Sequence, residues 1–97
     1  MIDEQIGKYV ELSPMQIPRG TARRGRCPFH DDETPSFFVF IERGSWHCFG
    51  ECNTGGDWWS FVYQWLRHGF KGMEDIEIPL DVQKWMDELR GGVPWPS

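Results

Sequence analysis

The sequence predicts a small α+β fold: an antiparallel sheet with one or two packed helices. Three observations predict it. Residues 36–41, Ser-Phe-Phe-Val-Phe-Ile, are β-branched and aromatic and too short for a helix. Residues 46–49 follow after a four-residue turn and read as the return strand of a hairpin. Beyond them, Trp58, Phe61, Val62, Trp65 and Leu66 recur at helical spacing.

Taken in order, residues 1–12 are mixed. Ile2, Ile6, Tyr9 and Val10 fit a helix, while residues 9–12 also fit a short strand. Residues 13–26 read as a loop, because Pro14, Pro18, Gly20 and Gly25 break regular structure. In the strand at 36–41, Phe37, Val39 and Ile41 share one face and Phe38 and Phe40 the other. Residues 42–45 turn the chain, with Gly44 free to take a positive φ. Asp57 is the expected N-cap of the first long helix, and Gly69 its end. Pro79 opens a last helix whose Val82, Trp85, Met86 and Leu89 share a face, stopped by Gly91 and Gly92. The sequence shows no repeat and no second domain, so residues 1–97 are read as one unit.

Composition narrows the functional classes. A 97-residue chain buries only about 60–65% of its unfolded surface, so a core this small needs a staple. Three cysteines make an odd number, which argues against a disulfide framework. No apolar run approaches the roughly 18 residues of a membrane span. The start lacks the basic head and apolar stretch of a signal peptide. A reducing cytoplasm is therefore expected, where cysteines more often hold metal than pair. Fifteen acidic residues against ten basic give a net charge of −5. That excludes a uniformly basic nucleic-acid coat, though not a local basic patch.

The chemistry is concentrated in Cys27-Pro28-Phe29-His30 and Cys48-Phe49-Gly50-Glu51-Cys52. Two residues separate the first pair, 17 separate the pairs, and three separate the last two cysteines. Structural zinc takes four tetrahedral nitrogen and sulfur ligands, commonly as two close pairs on tight turns. The 17-residue interval holds a hairpin that returns the second pair to the first. Cys27, His30, Cys48 and Cys52 are thus the expected ligands of one structural zinc ion, and the sheet is zinc-ribbon-like. The plainer reading is two unrelated clusters of buried thiols. His47 is the alternative ligand, but on a strand it points opposite to Cys48. His68, in the last turn of a helix, is read as structural. Four protein ligands leave no open position for water, which argues against a catalytic metal. Asp31, Asp32, Glu33 and Glu51 are read as solvated loop acids with no chemistry.

Residues 27–37, Cys-Pro-Phe-His-Asp-Asp-Glu-Thr-Pro-Ser-Phe, resemble the N-terminal zinc-binding domain of bacterial DNA primases, the Cys-His-Cys-Cys zinc finger. So do residues 46–50, Trp-His-Cys-Phe-Gly, and Gly55-Gly56-Asp57 with Phe61. Residues 6–12 are similar to that family's strand entry, so the resemblance spans about residues 6–66, followed by a helical tail at 70–97. That family usually has two residues, not three, between its last cysteines, and a shorter stretch before Cys27. The resemblance implies a zinc ribbon that binds single-stranded template and helps a polymerase domain start a primer, sometimes in trans. The family's polymerase core is absent from these residues. A non-catalytic accessory module is therefore expected, working with a primase polymerase or helicase on another chain.

Single-strand binding needs a cationic track and aromatic platforms. Arg19, Arg23, Arg24 and Arg26 form the candidate track, with no acid among residues 19–26. Phe38, Phe40, Trp46 and Phe49 are the candidate platforms. The alternatives are a solvated arginine loop and aromatics that serve only the core. In the competing functional reading, the aromatic face and the acidic C-terminal half dock on a replication polymerase or helicase with no DNA contact. A regulator of duplex DNA is a weaker third, since no basic solvent-facing helix is evident.

Overall fold

The computed structural model describes residues 2–18, 20–30, 33, 35–51 and 53–92. Three helices and five strands follow in the order α1 (Ile2–Gly7), β1 (Ser13–Ile17), β2 (Gly20–Gly25), β3 (Phe37–Phe40), β4 (Ser45–Cys48), β5 (Gly55–Gly56), α2 (Trp58–Arg67) and α3 (Leu80–Arg90). The strands form one antiparallel sheet in sequence order, β1 to β5. This is the predicted small α+β class.

The alternation in β3 sets the layers. Phe37 and Val39 are fully buried, and Trp46 and Cys48 of β4 lie on the same face. α1 and α2 cover that face. Ile2 and Ile6 of α1 and Phe61, Val62 and Trp65 of α2 complete the core. The α2 spacing is as expected, and Asp57 caps the helix by accepting from the Ser60 backbone N–H at 2.9 Å. The Trp46 indole N–H donates to the Asp57 carbonyl at 2.8 Å, tying β4 to the start of α2.

Residues 13–26 depart from the loop expectation and form the β1–β2 hairpin. Their breakers fit a sheet edge. Pro14 lies on the edge strand, where a missing N–H is tolerated. Pro18 lies in the two-residue loop between the paired Ile17 and Gly20. At Gly25 the Glu11 carbonyl approaches so closely that a Cβ would collide with it. Glu42 fastens the hairpin to the next turn. Its carboxylate accepts from the Thr21 backbone N–H at 3.0 Å and from the Thr21 hydroxyl at 2.9 Å, which holds its pKa below the ordinary value.

At the N-terminus the helical alternative holds. Tyr9 and Val10 donate to the Ile6 carbonyl, so residues 9–12 close a helix end and add no strand. Gly55 and Gly56 pair with β4 as a fifth strand. In α3 only Met86 is fully buried. Trp85 is 38% and Leu89 52% exposed, so the expected four-residue apolar face is only half covered. The Tyr63 ring of α2 lies 6.0 Å from Trp85.

Candidate metal centre and sheet face

Cys27 lies two residues beyond the end of β2, and a turn at Pro28-Phe29 brings His30 back beside it. Phe29 anchors that turn in the core, with its ring 5.5 Å from Phe61, 5.9 Å from Trp46 and 6.3 Å from Phe70. Cys48 ends β4 on the buried face, opposite Phe37. The hairpin register therefore returns it to the first pair.

The ligand atoms of Cys27, His30 and Cys48 all lie within 4.8 Å of one another. His30 Nε2 is 3.2 Å from Cys48 Sγ. A tetrahedral zinc with sulfur at about 2.3 Å needs its ligand atoms about 3.8 Å apart. Spacing and donor chemistry both fit zinc. The surroundings suit a thiolate as well: the Gly50 backbone N–H points to Cys48 Sγ at 3.4 Å, and the Ser36 hydroxyl is 3.7 Å from it. Gly50 is closely packed here, because a Cβ would stand 2.7 Å from Ser36 Oγ and 3.0 Å from His30 Nε2. Cys52, the fourth predicted ligand, lies outside the described residues. The residue after it, Asn53, has φ 38° and donates to the Gly50 carbonyl at 3.1 Å, which bends the chain sharply at this point.

The other histidines turn elsewhere. His47 pairs with Phe38 on the outer face, and its Nε2 is 3.2 Å from Asn53 Oδ1. His68 caps α2, with Nδ1 2.7 Å from the Gln64 carbonyl oxygen.

The outer face of the sheet, away from the helices, is aromatic. The Phe38 and Phe40 rings lie 6.2 Å apart and nearly parallel, at 15°. Phe49, 61% exposed, meets Phe38 edge-on at 5.4 Å and has His47 4.5 Å away. The Arg43 guanidinium lies over Phe40, 5.4 Å from the ring centre. Arg24 pairs with Phe38 across the strands, and Arg24 and Arg26 line an open cleft of about 430 Å³ with Val10, Glu11, Ser13 and Pro35.

The predicted binding residues separate accordingly. Phe38, Phe40 and Arg24 are brought together, and Arg26 shares the cleft with Arg24. Arg23 pairs with Val39 on the helix side, and its Nε contacts Asp3 Oδ2 of α1 at 3.2 Å. Trp46 is corrected: it is 1% exposed in the core and has no ring face for a ligand, because its parity in β4 matches Cys48. Arg19 lies outside the described residues. Arg43 was missed. A basic residue at the hairpin tip, three positions after Phe40, is the feature that would have found it.

Comparison with known proteins matches this arrangement. The CHC2 zinc finger family matches residues 1–82. A DNA primase of Mycolicibacterium smegmatis is 43% identical over 80 residues, which are 82% of this chain and 12% of that protein. A DNA primase of Deinococcus radiodurans is 48% identical over 60 residues, 61% of this chain and 10% of its own length. The chain thus spans about a tenth of the curated relatives it matches. The crystal structure of the Aquifex aeolicus primase, comprising zinc-binding and RNA polymerase domains, superposes with a TM-score of 0.57 at 31% identity. That match covers 93% of this chain and 19% of the Aquifex one. With its Cys27, His30 and Cys48 ligand atoms gathered at one point, the chain belongs to the CHC2 zinc finger family.

Proposed function

We propose that this chain is a zinc-stapled, non-catalytic module that binds single-stranded DNA template. In this reading it supports primer synthesis during replication by a primase polymerase on another chain, or beside a helicase, in the cytoplasm. Residues 1–97 act as one domain. One zinc, held by Cys27, His30, Cys48 and Cys52, supplies folding energy and no reaction step. The single observation that carries the reading is the outer sheet face. Phe38, Phe40 and Phe49 present rings for bases, Arg24 and Arg43 stand beside them for phosphates, and Arg26 lines a cleft with Arg24. Each base stacked on such a ring contributes about 1–3 kcal/mol, with little sequence preference.

The test is binding of a labelled single strand at several salt concentrations. Log K is expected to fall with log salt, with a slope of about −0.7 for each phosphate neutralised. Replacing Phe38, Phe40 and Phe49 together by alanine should weaken binding at every salt concentration and leave the slope unchanged. No affinity at low salt, or full affinity in the triple variant, removes DNA from this face and leaves a protein-docking module.

A further inference from the structure

On the helix side of the sheet the surface chemistry is reversed. Residues 70–92 carry six acidic side chains against three basic ones. α3 buries one residue fully, and Leu80, Trp85 and Leu89 remain exposed along it. Where the first turns of α3 meet the start of α2, an open groove of about 370 Å³ is lined by Asp57, Trp59, Ser60, Asp81, Val82 and Trp85. It combines two indoles, two carboxylates and one aliphatic side chain. Neither carboxylate forms an ion pair among the described residues.

We propose that this groove is a docking site for an arginine-bearing segment of a polypeptide partner. A guanidinium is planar, stacks on indole faces and pairs with carboxylates, so it matches both features of the groove at once. The acidic surroundings add the complementary field and turn nucleic acid away from this side. The groove uses none of the outer-face residues, so its occupancy stands or falls independently of DNA binding.

The experiment is a titration of the zinc-loaded full chain with acetyl-Gly-Arg-Gly-amide, followed through the indole N–H resonances. Trp59→Phe and Trp85→Phe assign the two signals. The Trp59 and Trp85 resonances should shift saturably while that of buried Trp46 stays in place. The same peptide with citrulline for arginine should bind about fivefold more weakly or worse, and Asp81→Asn should weaken the arginine peptide about two- to fivefold. An equal response to citrulline, indifference to Asp81→Asn, or no saturable shift overturns the proposal. So does a dimer in sedimentation that the peptide leaves intact while those indoles are buried in it, which would give the groove to a second copy.

Discussion

At Gly50 a single missing Cβ lets His30 and Ser36 close on the Cys48 sulfur. Gly50→Ala should therefore loosen the knuckle at a cost of about 1–3 kcal/mol, typical of overpacking. The checks are a lower thermal midpoint and faster zinc transfer to a chelator, and an unchanged variant would show that the knuckle has slack. The arginines divide just as locally. Arg24 and Arg26 line one open cleft, whereas the Arg23 guanidinium is engaged by Asp3. Arg24→Ala with Arg26→Ala should make the salt dependence of single-strand binding shallower by about 0.7 per lost phosphate contact. Arg23→Ala should leave that slope alone and lower the unfolding midpoint modestly, because the Asp3 carboxylate, 11% exposed, loses its cation. A shallower slope in Arg23→Ala would return that residue to the nucleic-acid track.

The elements draw their stability from one another. α2 starts at Asp57, whose side chain satisfies the Ser60 N–H and whose carbonyl holds the Trp46 indole. Asp57→Ala should cost about 0.5–2 kcal/mol through the lost cap, read as a lower denaturant midpoint at unchanged slope. The carbonyl contact persists in that variant, so near-ultraviolet dichroism from Trp46 should be retained. A loss of that signal would mean that the cap also places β4. The β3–β4 hairpin has two roles at once, because its alternation buries Phe37, Val39, Trp46 and Cys48 while turning Phe38, Phe40 and His47 outward. A slip of one residue would exchange the faces and remove a ligand from the centre.

Across the whole molecule the candidate metal ligands come from two segments that the sheet aligns. Cys27 leaves β2 and Cys48 ends β4, with β3 lying between those strands. Because a small core is marginal, removal of zinc by a chelator should unfold the chain, with loss of both the dichroism of the aromatic core and the sheet signal. Readdition of zinc should restore both, with one ion per chain by metal analysis. Cys48→Ser should behave like the metal-free chain. Retained folding without metal would make the centre incidental to the fold.

The Cys27, His30 and Cys48 cluster, the β3–β4 hairpin and α2 were legible in the residues themselves. Ligand spacing, strand alternation and helical periodicity are local, and each survives in one dimension. The β1–β2 hairpin was not, because Pro14, Pro18, Gly20 and Gly25 read as loop markers until the sheet edge gives each a place. The roles of Arg23 and Trp46 also waited on three dimensions. Neighbouring arginines carry identical charge, and only the pleat sends Arg23 toward Asp3 and Arg24 toward Phe38. A tryptophan is equally suited to a core or a platform, and the burial of the face it shares with Cys48 is what decided. Sequence by itself determined which groups can grip an ion and where strands and helix must run. Tertiary structure decided which side of the sheet each charge and ring faces, because that depends on which face the helices cover.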